Sequence, residues 1–176
     1  MITILPSRPD DVAAITAIYA QAVLTGTGSF EIDPPTPAEM ARRREDVLAK
    51  GLPYLVAETA AGVMGYAYAS PFRPRPAYRF SVENSVYVHE DARGQGLWAL
   101  LLAELIARCT DCGARQMLAV IGDSANAGSV ALHRRAGFEP AGRFEHVGRK
   151  FDRWLDVVLM QRALGPGATL PPPPGT

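Results

Sequence analysis

The chain has 176 residues, 48% hydrophobic and 20% charged, with 18 Lys and Arg against 18 Asp and Glu, so its formal charge is zero. That length suits one hydrophobic core, and the even balance lacks the positive surplus that general nucleic-acid binding or polybasic membrane attachment requires. No stretch approaches the roughly 20 apolar residues of a membrane helix, and the first residues lack a signal peptide's pattern, so the chain reads as cytoplasmic.

Ile2 to Leu5 reads as a short strand. A helix begins at Asp10 or Asp11 with an apolar face of Val12, Ile15, Ile18, Tyr19, Ala22 and Val23. It ends at the flexible Thr25-Gly-Thr-Gly-Ser29 turn. Thr36-Pro37-Ala38-Glu39 has the form of a capping box with proline at the first helical position, opening a helix to about Lys50 that Gly51 closes. Three strands follow: Pro53 to Glu58, Val63 to Ser70, and about Tyr78 to Val88. The third lacks clean alternation and is expected to carry a bulge. Leu97 to Cys109 is a nearly all-apolar helix, expected to be buried on most sides, with Gly113 after it. Gln116 to Ile121 is a continuous apolar strand of the kind a parallel neighbour buries. A helix from Asn126 to Arg135 stops at Gly137, and two strands follow near Gly142–Arg149 and Trp154–Gln161. The expected fold is a mixed α/β domain of about seven strands and four helices, with three antiparallel strands consecutive in the middle. Residues 165–176 are a Pro/Gly-rich run expected to be a flexible tail, leaving a folded domain of 1–164.

Cys109 and Cys112 form one Cys-x-x-Cys at the end of a helix, without the second pair or histidines of a zinc site, so packing is their expected role and no metal is expected. Among the basic residues only Lys50 and Lys150 are lysines.

The densest chemical signal runs from Tyr78 to Leu97, where a strand ends in a short loop and Arg93-Gly94-Gln95-Gly96 leads into a helix. Free amides at a helix start, with glycines allowing close approach, suit a pyrophosphate. Gly94-x-Gly96-x-x-Ala99 also fits a dinucleotide fingerprint, with Asp123 placed as a ribose acid. Five residues separate Val88 from Gly94, however, whereas the dinucleotide turn follows its strand directly. The other reading is an acyl-CoA pyrophosphate loop.

Six motifs give that second reading a family. They are Thr25-Gly-Thr-Gly-Ser-Phe-Glu31, Ser81-Val-Glu-Asn-Ser-Val-Tyr-Val88, Arg93-Gly-Gln-Gly-Leu97, Ala119-Val-Ile-Gly-Asp-Ser-Ala-Asn126, Leu132-His133 with Gly137-Phe138, and Lys150-Phe-Asp-Arg-Trp-Leu-Asp156. In this order they resemble the GNAT N-acetyltransferase superfamily, and within it the phosphinothricin and methionine sulfoximine N-acetyltransferases, across nearly all of residues 1–164. The resemblance implies an acetyl-CoA-dependent transfer to the amine of a small amino-acid-like substrate, in a homodimer joined near Lys150 to Trp154. It implies that Val86, Tyr87 and Val88 pair with the pantetheine arm, that Arg93, Gly94, Gln95, Gly96, Leu97 and Trp98 hold the pyrophosphate, and that Asn126 and Ser129 lie near the arm. Extended pantetheine amides do need backbone partners.

Two positions depart from the family pattern. Trp98 stands where glycine or alanine is usual and is expected to turn outward, leaving the amides free. Asp152 replaces a usual glycine.

Amide formation needs a neutral amine, a site for the oxyanion and a proton for the thiolate. Glu83 is implied as the catalytic acidic residue; the plainer reading pairs it with Arg79 or Arg75. His133 stands where many relatives place the acid for the departing thiolate, and its titration range permits that; the plainer reading bonds it to a backbone carbonyl. The oxyanion donor is expected to be the Val88 amide. Arg73 and Arg75, in a proline-stiffened loop, are candidates for a substrate carboxylate or phosphinate. Phe30, Asn84 and Ser85 are implied substrate neighbours. Other readings are acetylation of a peptide N-terminus or polyamine, and a non-catalytic acyl-CoA sensor.

Overall fold

The computed structural model of the chain describes residues 2–172. In order it contains β1 (Thr3–Pro6), α1 (Val12–Thr25), α2 (Pro37–Ala49), β2 (Tyr54–Thr59), β3 (Gly62–Pro71), β4 (Ser81–Val88), α3 (Leu97–Asp111), β5 (Gln116–Gly122), α4 (Ala127–Arg135), β6 (Glu139–Lys150) and β7 (Arg153–Ala163). The strands form one seven-stranded sheet in the order β1-β2-β3-β4-β5-β7-β6, with only β4 and β5 parallel. This is the mixed architecture the element order predicts. Among the described residues, no helix is long and apolar enough to cross a membrane.

Each face of the sheet has its own core. Ile15, Ile18, Tyr19, Val23, Met40 and Val47 of α1 and α2 pack on Tyr54, Val56 and Tyr66. Leu97, Leu101, Leu102, Leu105 and Ile106 of α3 pack on Leu55, Ala67, Ala69, Val82 and Met117 from the other side. Because successive strand residues face opposite ways, small Ala67 and Ala69 meet α3 while Tyr66 and Tyr68 belong to the α1–α2 face.

Several local expectations change. Thr36 caps α2 by accepting from the Glu39 amide at 3.2 Å, but the Glu39 carboxylate bonds Arg42 and Arg43 instead of closing the box. The third middle strand begins at Ser81, because Pro76–Tyr78 forms a 3-10 turn. It pairs with β3 without a register shift; the irregularities lie at Ala57/Glu58 of β2 and at Pro140/Gly142 and Phe144/Gly148 of β6 instead. Helix α3 buries one face only, and Leu100 is exposed. Cys109 is buried, whereas Cys112 is exposed.

Beyond buried Leu164, the Pro/Gly run begins as a turn, with the Gly167 amide on the Leu164 carbonyl. Arg115 donates to the carbonyls of Gly167, Leu170 and Pro171. Residues 173–176 of the expected tail lie outside the described residues.

Candidate active site

The site begins where the parallel ladder stops. β4 pairs with β5 only at Ser81↔Gln116, Val82↔Met117 and Glu83↔Leu118. Past that point β4 continues along β3 to Val88, while its β5-facing edge is open. The His89 amide bonds the Met64 carbonyl at 2.8 Å, so Val88 and Gly65 form a non-hydrogen-bonded pair. The amide and carbonyl of Val88, and of Val86 two residues back, therefore point to the open edge. Tyr87 differs from the expectation, because its backbone groups face Tyr66 of β3.

A cavity of about 980 Å³ occupies the opening. Its lining includes Glu83 to Val88, Arg93, Gly94, Gly96, Leu97 and Trp98, Asn126 and Ser129, and His133, together with residues 25–28. Gly94 and Gly96 have φ of 76° and 82°, values that favour glycine, and a Cβ at either would meet open space. Gly96 makes no side-chain cap for α3, so the first amides of that helix have no partner within it. Gln95 is absent from the lining, its amide donating to the Asp91 carbonyl. Asn126 accepts from the Ser129 amide through Oδ1 at 3.2 Å, which caps α4, and its Nδ2 makes no hydrogen bond among the described residues.

Strand alternation divides the side chains between two walls. Val82, Val86 and Val88 pack with the α3 core, and Tyr87 with the α1–α2 core. Glu83 and Ser85 share the parity of Tyr87, so they face α1 and α2, whereas Asn84 faces α4. On the first wall Glu83 accepts no hydrogen bond among the described residues. Burial raises its carboxyl above the ordinary range, and the charge of Arg73 partly opposes this. Among the described residues Glu83 is in no ion pair: the Arg79 guanidinium lies 4.4 Å over the Phe80 ring, and Arg75 is exposed.

On the second wall Asn84 donates from Nδ2 to the Leu118 carbonyl at 2.9 Å, bridging the strands just past their last ladder pair. Its Oδ1 lies 3.1 Å from His133 Nε2. His133 Nδ1 lies 2.9 Å from the Ser129 carbonyl and 3.4 Å from its hydroxyl. The ring is 4% exposed, and burial lowers its pKa against the opposing pull of the Ser129 carbonyl. Trp98 does not turn outward as expected: its indole meets the His133 ring edge-to-face at 4.8 Å, opposite a similar contact from Phe138.

Three expected substrate neighbours stand outside the cavity lining. The Arg73 guanidinium lies 5.0 Å over the Phe72 ring, and exposed Arg75 precedes the 3-10 turn. Phe30 wedges between Gly122 and Gly148, where an added Cβ would approach its ring to 2.8 and 2.2 Å.

Phe30 belongs to a latch that sequence reasoning missed. Lys150, 4% exposed, donates from Nζ to the carbonyls of Gly26 and Ser29 at 2.9 and 2.8 Å. Asp123 accepts from Thr27 at 3.1 Å and from Arg153 at 2.6 Å. Its carboxyl pKa is lowered, first by the Arg153 bond, and the contacts engage it away from any ribose role. The sequence showed the rarity of lysine beside 16 arginines and the motifs that hold these residues, but not that the motifs meet.

Residues 12–138 match the acetyltransferase (GNAT) family. The chain is 54% identical over 170 residues to a phosphinothricin N-acetyltransferase from Alcaligenes faecalis, covering 97% of this chain and 86% of the relative. It is 45% identical to an L-methionine sulfoximine/L-methionine sulfone acetyltransferase from Pseudomonas paraeruginosa, covering 92% and 94%. A phosphinothricin acetyltransferase from Sinorhizobium meliloti, solved in complex with AcCoA, superposes with a TM-score of 0.96 at 47% identity, covering 99% of this chain and 95% of that one. Fold, cavity and sequence agree, and the chain belongs to the GNAT acetyltransferase family.

Proposed function

We propose that this protein is an acetyl-CoA-dependent N-acetyltransferase that acetylates the amine of a small amino-acid-like acceptor of the phosphinothricin, methionine sulfoximine or methionine sulfone type. Transfer is direct, with both substrates bound together. The observation that carries this reading is the opening beyond Glu83↔Leu118, with a glycine loop at its mouth and, on its far wall, a carboxylate that accepts no hydrogen bond among the described residues.

The residues fit acetyl-CoA. Val86 and Val88 offer backbone groups to the amides of its arm, Arg93 and the amides from Gly94 to Trp98 suit its pyrophosphate, and Asn126 Nδ2 and Ser129 border the arm. It supplies an acetyl thioester, whose C–S bond breaks as the C–N bond of the amide forms. Glu83 takes one proton from the acceptor ammonium and passes it to solvent, a role its raised pKa suits. The second proton leaving nitrogen ends on sulfur. The Val88 amide, free of β3, faces the carbonyl oxygen as charge develops there. Ser85, on the Glu83 side of the lining, contacts the acceptor, and Arg73, outside the lining, acts through its charge on Glu83. Phe30 acts through the 25–31 loop it anchors.

The same reading makes the enzyme a cytoplasmic homodimer. Its two cysteines are free, as suits a reducing compartment. The β6–β7 hairpin exposes Phe144, Val147, Phe151 and Trp154, the last 61% exposed, beside the unpaired edge of β6. Trp154→Glu is expected to sediment as a monomer; an unchanged dimer would place the interface elsewhere.

Thiol release from acetyl-CoA tests the activity. Methionine sulfoximine or phosphinothricin is expected to be turned over well above spermidine or a peptide N-terminus. Thiol release with none of these amines would leave an acyl-CoA-binding protein without the proposed chemistry.

A further inference from the structure

The cavity wall changes character along α4. Gly128, Leu132 and Arg135 line it at spacings of four and three residues, so one stripe of the helix follows the cavity from its first turn to its last residue. Asn126 and Ser129 stand at the start of that wall. Trp98, the second residue of α3, meets α4 at His133, one turn past Ser129. Arg135 lies beyond that contact, about 9 Å along the helix axis from Ser129.

Charge in the cavity is sorted as well. Among the described residues its lining holds two carboxylates, Glu83 and Asp123, and two guanidiniums, Arg93 and Arg135. Glu83 sits where the parallel ladder ends, and Asp123 is engaged by Thr27 and Arg153. The exposed side chains of Arg93 and Arg135 form neither a hydrogen bond nor an ion pair among the described residues. Arg134 shares the last turn of α4, where any cation suits the helix dipole, but it stands outside the lining. Its place on the cavity sets Arg135 apart.

An uncommitted guanidinium bordering a cavity suits a phosphate. Coenzyme A carries its groups in the covalent order thiol arm, pyrophosphate and adenosine, with one more phosphate on the 3′ oxygen of that adenosine. The wall offers partners in the same order: Asn126 and Ser129, then the glycine loop beside His133, then Arg135. We propose that Arg135 binds the 3′-phosphate, so that the protein selects coenzyme A over the form lacking that phosphate. This rests on the acetyl-CoA reading.

Calorimetry with coenzyme A and with dephospho-coenzyme A, without an amine, reads binding apart from turnover. Wild type is expected to bind coenzyme A about 10-fold more tightly, the scale of one charge-assisted contact. That preference should shrink as salt rises, because the contact is exposed. Arg135→Gln should lose about 10-fold for coenzyme A and bind dephospho-coenzyme A as wild type does. Arg134→Gln removes the same charge outside the lining and should keep the preference. Equal wild-type affinities for the two ligands overturn the proposal and leave the acetyl-CoA reading standing. So does an equal loss of both in Arg135→Gln, which would place this guanidinium on the pyrophosphate. A matching loss of preference in Arg134→Gln also overturns it, since charge at the helix end would then suffice. Binding of neither ligand by wild type would remove the acetyl-CoA reading and the proposal with it.

Discussion

The two walls of the cavity present ionisable groups in opposite states. Glu83, facing α1 and α2, accepts no hydrogen bond among the described residues and is held above its ordinary pKa by burial. His133, on α4 and against Trp98 of α3, lies within hydrogen-bond distance of Asn84 and Ser129 through both ring nitrogens. Burial alone does not distinguish them; the vacancy of their lone pairs and protons does. A group that takes a proton from a substrate needs an open position, and among the described residues Glu83 has one. Within one strand, residues 83 and 84 face opposite walls.

Breaking the open wall should have the largest effect. Glu83→Gln is expected to lower kcat by about 100-fold or more, the scale of a lost general base, with acetyl-CoA affinity unchanged by calorimetry. The same change should leave stability equal or higher at neutral pH. A carboxyl raised by folding binds more protons in the native state between its unfolded and folded pKa values, so its contribution to stability falls as pH rises through that window. The neutral amide is free of this. A fall in both melting temperature and acetyl-CoA affinity would make Glu83 structural.

The latch behind that wall is the next test. Lys150→Met removes two charge-assisted bonds to the 25–31 loop, and a loss of about 2 kcal/mol is expected from denaturant unfolding. Because residues 25–28 line the cavity and the proposed acceptor lies on that side, KM for the amine should rise while KM for acetyl-CoA stays within error. Equal rises in both would mean that the loop serves the whole cavity.

The smallest effect lies at the hairpin tip. Phe151 and Asp152 have φ of 51° and 56°, the positive pair that a two-residue turn between Lys150 and Arg153 requires. Asp152 tolerates this region better than most residues, and its carboxylate accepts from Arg149 at 3.1 Å. Asp152→Gly should still raise stability by about 1 kcal/mol, read as a higher melting temperature. A lower one would show that the Arg149 contact outweighs the strain.

Much of this was readable in the sequence because it is local. Periodicity and turn residues placed the strand–loop–helix run that lines the cavity, and glycine spacing marked the loop whose φ angles are positive. The separation of Glu83 from Asn84 was equally readable from alternation, though grouping Glu83, Asn84 and Ser85 as substrate neighbours overlooked it. Pro76 started a 3-10 turn where β-rich residues read as strand. The segments of the latch stood out as motifs, but their contact did not: Lys150 reaches carbonyls more than 120 residues earlier. Phe30 looked like a pocket residue because only the fold reveals the two glycines that receive its ring.

The pH dependence of kcat/KM for the amine, measured in wild type, Glu83→Gln and His133→Gln, tests the division of the two walls most directly. The account predicts an acidic limb in wild type, lying above the ordinary carboxylate range, that persists in His133→Gln and disappears in Glu83→Gln. A limb that disappears in His133→Gln and persists in Glu83→Gln would contradict it.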